Sequence, residues 1–143
     1  MPTRNATARW EGGIKGGKGS FKGETGSVAG AYTVGSRFES EKGSNPEELL
    51  AAAHAACYSM ALSVALDRAG TPPTYVETKA ACTVEKAGEG WKISTMKLTA
   101  RAAVPNVKEA DFRKMAEGAK ENCPVSGALK GNVRIELDAQ LVK

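Results

Sequence analysis

Between Leu49 and Leu66 the chain is apolar on every side of a helix, interrupted only by His54, Tyr58, Ser59 and Ser63. Such a run leaves no face for water and predicts a helix buried all round. Its ends are marked by residues whose chemistry suits them. Asn45 is a natural cap, and Pro46 fits the first turn, where a missing N–H costs nothing. Glu47 and Glu48 lie at the positive end of the helix dipole, and Gly70 stops the helix. The run matches a short membrane span in length. Its alanine content, its internal histidine and its flanking carboxylates favour a core helix instead. Alanine permits close backbone approach, so the helix is expected on a sheet and against a second helix, from this chain or from another subunit.

Elsewhere the pattern alternates. Residues 4 to 11 (RNATARWE) alternate loosely, and GSFKGET and SVAGAYTV follow with glycines between them, which predicts a short meander of strands. Arg37-Phe38-Glu39 and SEKGS read as a connection into the helix cap. Beyond Gly70, TPPTY opens a new segment, and two long strands follow, Tyr75 to Lys86 and Trp91 to Val104, joined by the turn AGEG. Pro105 ends the second strand. Lys108 to Asn122 is helical, with Phe112, Met115, Ala116 and Ala119 on one side. Cys123-Pro124 breaks that helix, VSGALK reads as a short further helix, and Asn132 to Val142 alternates as a last strand. The order of strands, helix, strands, helix, strand points to an α+β fold. With 143 residues and no repeat or linker, residues 1–143 read as one domain. Such a chain is short for enclosing a helix apolar on all faces, and dimerisation would supply the missing cover.

Composition changes this picture little: 41% hydrophobic, 25% charged and 6% aromatic residues are ordinary for a soluble protein. Arg4 and Arg9 bracket polar residues instead of preceding an apolar block, so no signal-peptide pattern is seen and a cytoplasmic protein is expected. The net charge of +4 could suggest an anionic partner, but acids and bases are interspersed. The most basic stretch, GGIKGGKGSFKGE at residues 12 to 24, has no helix after it and lacks the Lys-Ser or Lys-Thr ending of a phosphate loop. It reads as a glycine-rich hairpin, and nucleic acid is not an expected partner.

The three cysteines, at 57, 82 and 123, have no CxxC spacing and fit neither a disulfide framework nor a zinc site; no metal or cofactor is expected. In a reducing compartment such thiols are catalytic or simply buried. Cys82, within the strand-like TKAACTVEK, reads as a small core hydrophobe. Cys123 lies at the cap of the helix that Pro124 opens, where free backbone N–H groups favour a thiolate. Cys57 is mid-helix in apolar surroundings that oppose ionisation, so it needs an imported positive charge. Arg37, just upstream, is a candidate donor. Glu47 falls roughly 80° from Cys57 around the helix, against about 180° for Glu48, and could grip the guanidinium with both oxygens. The same two residues also read as an ordinary surface ion pair. His54 precedes Cys57 by three residues and is its neighbour on the helix, either as a Cys–His pair or as a hydrogen-bonded core histidine.

The blocks ARWEGGIKGGKGSF, SRFESEKGSNPEELLAAAHAACYSMAL and NCPVSGALKGNVRIELDAQL resemble the osmotically inducible protein C branch of the OsmC/Ohr family of thiol peroxidases, over nearly the whole chain. HAAC, and an arginine just before the central loop, look like this branch more than the organic-hydroperoxide-resistance branch. The resemblance implies an OsmC-like α+β fold in an intertwined homodimer, with long strands wrapped on central helices and sites at the subunit interface. It implies that Cys57 is the peroxide-reacting thiolate, Cys123 the resolving thiol, and Arg37 with Glu47 the pair that activates Cys57 and orients the peroxide. An organic hydroperoxide would be the substrate and an external dithiol, lipoyl-type in relatives, the reductant. The apolar setting of Cys57 predicts that bulky organic hydroperoxides react better than hydrogen peroxide. Two other classes stand beside this one: a cysteine hydrolase using Cys57 and His54, and a non-enzymatic stress or binding protein whose thiols fill the core.

Overall fold

The computed structural model describes residues 1–143, in two compact units, Met1–Leu49 and Leu50–Lys143. In the first unit β1 (Ala6–Glu11), β2 (Lys18–Gly23) and β3 (Ala29–Tyr32) form an antiparallel meander in the order β1-β2-β3. The basic glycine-rich stretch is therefore a hairpin and its flanking strand, as its sequence suggested. Its aromatic residues gather on one side, with the Tyr32 ring 5.5 Å from Trp10 and 6.1 Å from Phe21. Gly19 lies beneath these rings, where an added Cβ would overlap Tyr32 and Trp10.

The connection expected around Arg37 is instead a short helix, α1 (Val34–Phe38). Its start is closed by a reciprocal pair: the Ser36 N–H donates to the Thr33 hydroxyl, and the Thr33 N–H donates to the Ser36 hydroxyl. That capping box is spelled Thr-Val-Gly-Ser, with Ser where Glu or Gln is usual, and a helix this short shows no apolar periodicity to announce it.

The central helix α2 (Pro46–Arg68) begins and ends as its sequence suggests. The Glu48 N–H donates to the Asn45 side chain at 2.8 Å. Past the other end Gly70 takes φ +83°, a left-handed conformation that lets the Thr71 N–H close on the Leu66 carbonyl. Burial on all sides, however, is not found within one chain. His54, Tyr58, Leu62 and Leu66 form a fully buried stripe at four-residue spacing, while Ala52, Ala53, Ala56, Met60 and Val64 are exposed. The chain's own core covers that stripe and half-buries its flanks, leaving the apolar back of α2 exposed. By length and composition α2 could also cross a membrane; Tyr58, Leu62 and Leu66 of its buried stripe belong to the core cluster.

In the second unit β4 (Tyr75–Ala87) and β5 (Gly90–Ala103) make a long antiparallel hairpin, and β6 (Arg134–Leu141) joins β5 in parallel. A parallel neighbour demands a crossover, which α3 (Glu109–Asn122) and α4 (Pro124–Leu129) supply. The β5 residues Met96, Leu98, Ala100 and Ala102 alternate onto one face and form the core with Tyr58, Leu62 and Leu66 of α2 and Phe112, Ala116 and Ala119 of α3. Each large apolar side chain so buried stabilises the fold by about 1.5–3 kcal/mol. The Tyr58 hydroxyl donates to the Ala116 carbonyl at 3.0 Å and ties α3 to α2 one residue from Cys57. The crossover thus carries Cys123, at the α3–α4 junction, back to the middle of α2.

Candidate active site

Cys57 is half-buried midway along α2, and Cys123 is buried. Cys123 has an extended backbone, φ −61° and ψ 124°, between the end of α3 and the first residue of α4. The ring of Pro124 disfavours a helical conformation in the residue before it, which breaks the crossover at this point. The break turns the Cys123 side chain toward α2, where its sulfur lies 2.9 Å from that of Cys57 although the two are 66 residues apart in sequence. About 1 Å of further approach would make a disulfide.

Burial pushes the Cys57 thiol above its ordinary pKa, and the hydrogen bond shared with Cys123 adds to the rise, while the backbone N–H of Val125 works against it. The N–H groups opening α4 were expected to serve Cys123. Cys123 instead makes no side-chain cap bond, and the Val125 amide is aimed at Cys57. Beside the pair runs a groove of about 560 Å³, its apolar walls including Met60, Ala61, Val64 and Met115, with Arg68 and Asn122 as its polar members.

Arg37 and Glu47 meet in the first unit. Arg37 Nη2 and Nε donate to Glu47 Oε1 at 2.8 and 3.1 Å, and Nε also reaches Oε2 at 3.2 Å. Glu47 is only 5% exposed while the Arg37 side chain is 36% exposed, so the pair is buried on its carboxylate side and open on its guanidinium side. The guanidinium carbon lies 5.0 Å from the centre of the Phe38 ring, adding a cation–π contact. Two further bonds hold α1 against the start of α2: Ser36 Oγ donates to the Ser44 carbonyl at 2.8 Å, and the Asn45 amide donates to the Ser36 carbonyl at 3.0 Å. Arg37 also borders an apolar hollow of about 270 Å³ formed with Trp10, Ile14, Tyr32, Val34 and Phe38.

His54 is a core histidine. Its Nε2 lies 2.8 Å from Ser126 Oγ, its Nδ1 has no partner, and burial pushes its pKa below the ordinary value, so the ring is held neutral. Its hydrogen bond runs to a hydroxyl and not to Cys57, which gives the Cys–His reading no support. Cys82 is half-buried against the core, as its strand position suggested. Val125 and Ser126 are the neighbours that sequence reasoning missed. The available signal was spacing, since Ser126 follows Cys123 by the same three residues that separate His54 from Cys57. No group of three or more His, Cys, Asp or Glu side chains is arranged to hold a metal ion.

Comparison with known proteins shows the family. Over 139 residues the chain is 45% identical to Peroxiredoxin OsmC of Escherichia coli K12, covering 96% of each sequence. It is 34% identical over 104 residues to the organic hydroperoxide resistance protein OhrB of Bacillus subtilis, covering 70% of this chain and 72% of the relative. The crystal structure of that OhrB superposes with a TM-score of 0.77 at 26% identity, covering 96% of this chain and 98% of the other. The α+β fold is that of OsmC and Ohr structures. With the OsmC-like protein profile matching residues 39–138, the chain belongs to the OsmC-like family.

Proposed function

We propose that this chain is a thiol-dependent peroxidase that reduces organic hydroperoxides to alcohols, with Cys57 as the oxidised thiol and Cys123 as the resolving one. The observation that carries the reading is the 2.9 Å approach of two sulfurs beside an apolar groove. The Cys57 thiolate attacks the outer peroxide oxygen, the O–O bond breaks, and the alkoxide takes a proton and leaves as alcohol, so that sulfur becomes a sulfenic acid. The Cys123 thiol then attacks that sulfur. An S–S bond forms, the S–O bond breaks, and the hydroxyl leaves with the thiol proton as water. Two exchange steps with an external dithiol restore both thiols and oxidise the dithiol; in keeping with the resemblance, this is a lipoyl-type compound. Arg37, steadied by Glu47, is assigned the positive charge that favours the Cys57 thiolate and stabilises charge developing on the peroxide oxygens. Such a cycle requires a reducing compartment, which fits the cytoplasm.

Reduced protein treated with about one equivalent of cumene hydroperoxide is expected to lose two hydrogens in its intact mass and to yield a linked Cys57–Cys123 peptide. Unaltered thiols would overturn the reading. Formation of an acyl adduct on Cys57 with ester substrates, insensitive to Cys123, would favour the hydrolase.

The homodimer belongs to the same reading. A second copy is the natural cover for the exposed apolar face of α2 around Met60 and Val64, and it would also close the groove beside Cys57. Sedimentation equilibrium should give twice the 14.9 kDa mass of the chain, and a monomer at micromolar concentration would sink the idea.

A further inference from the structure

Alongside the two sulfurs runs a second link between the same two elements. On α2, His54 and Cys57 are three residues apart and share one side of the helix. Across from them, Cys123 and Ser126 are likewise three residues apart at the start of α4. The structure therefore has two adjacent rungs: Cys57 to Cys123 at 2.9 Å, and His54 Nε2 to Ser126 Oγ at 2.8 Å. Only the first can change during turnover. His54 is fully buried and Ser126 is 3% exposed, so water cannot substitute for their bond.

We propose that His54 and Ser126 are positioning residues for the resolving step, holding the first turn of α4 so that Cys123 stays aimed at Cys57 after the latter has been oxidised. The proposal rests on the assignment of Cys57 and Cys123 above. Oxidation places an oxygen on Cys57, and resolution then requires the Cys123 sulfur, 2.9 Å away in the reduced protein, to stand in line with the new S–O bond on the side away from that oxygen. The redox rung changes its chemistry at the moment when the resolving thiol must remain in line. An unreactive bond one helical turn away holds the first turn of α4 in place through that change.

The orphaned ring nitrogen supplies the polarity of that bond. A neutral imidazole has one N–H, and a buried unpaired N–H costs more than a buried lone pair. The proton therefore sits on Nε2 and is donated to Ser126 Oγ, leaving the unpartnered Nδ1 as a bare lone pair. The arrangement needs a donor at position 54 and an acceptor hydroxyl at position 126. Leucine would fill the space of His54 without the bond, whereas glutamine carries an amide N–H of comparable reach.

The test follows sulfenic acid by rapid-quench trapping with dimedone and mass spectrometry, in the intact protein and in His54→Leu, His54→Gln, Ser126→Ala and Ser126→Thr. In His54→Leu and Ser126→Ala, sulfenic acid should form at the unaltered rate, but disulfide formation should slow by about tenfold, the effect of one lost buried hydrogen bond. Sulfinic acid should then accumulate under excess hydroperoxide. His54→Gln and Ser126→Thr should restore fast resolution. If His54→Leu fails to fold, Ser126→Ala, which removes one hydroxyl, carries the comparison. Equal slowing of both steps would mean a general structural role and would overturn the proposal, as would unaltered resolution in the leucine and alanine variants. A wild-type protein that forms no disulfide at all would remove the underlying assignment, and the proposal with it.

Discussion

Cys57→Ser is expected to eliminate hydroperoxide reduction, a loss on the order of a thousandfold or more, because the serine hydroxyl does not ionise near neutrality and lacks the nucleophilicity of a thiolate. Cys123→Ser is expected to behave differently. Its first turnover should proceed, consuming one hydroperoxide per Cys57 and leaving a sulfenic acid that cannot close to the disulfide. Further turnovers should then fail, with sulfinic acid accumulating as hydroperoxide is added. Consumption of cumene hydroperoxide in a single-turnover assay, with peptide masses taken afterwards, distinguishes the two variants. Equal residual activity in both would mean that the sulfurs do not divide the work in this order. Full activity in Cys57→Ser would end the peroxidase reading at this site.

The second large effect is expected at Arg37. Arg37→Met should slow peroxide reduction by about a hundredfold to a thousandfold, the scale reached when an aligned donor to developing negative charge is removed. The pH dependence follows from the state of Cys57. Burial holds this thiol above its ordinary pKa, so its reactive fraction is small below that value and grows as pH rises through it. On the proposed assignment, a guanidinium acting on the sulfur would oppose that rise. Its removal should therefore displace both the alkylation of Cys57 by iodoacetamide and the rate of peroxide reduction toward alkaline pH. Arg37→Lys keeps the charge but loses the fork that meets both Glu47 oxygens, and should recover only part of the rate. Arg37→Met also strands a buried carboxylate, which costs on the order of 1–3 kcal/mol of stability. Arg37→Met/Glu47→Gln relieves that cost and isolates the kinetic effect. An alkylation curve that does not move, with an undiminished rate, would remove Arg37 from the mechanism.

Legibility in the sequence varied with the range of the interaction. Asn45, Pro46 and Gly70 bounded α2 because capping and helix termination are contacts among residues a few positions apart. Period-two alternation marked β6 because it shows one face to the core, and the turn AGEG and Pro105 bounded β4 and β5. Helix α1 escaped notice because it is too short for periodicity and its capping box uses serine in place of a longer side chain. The Val125 amide was missed for a related reason. Adjacency in sequence places it near Cys123, whereas only the extended backbone at Cys123 shows that it faces Cys57.

The letters of the chain were thus sufficient to name Cys57 and Cys123 as the candidate thiols, the Arg37–Glu47 partnership as a candidate, and a helix too apolar to stand in water. These follow from side-chain chemistry and from local geometry, which travel with the residues. Folding alone set the 2.9 Å approach of Cys57 and Cys123, the burial of Glu47, the bond from His54 to Ser126, and the exposure of one side of α2. The sulfur approach and the His54–Ser126 bond depend on how a crossover of two helices returns to α2, and a partner 66 or 72 residues away leaves no periodic trace in a single sequence.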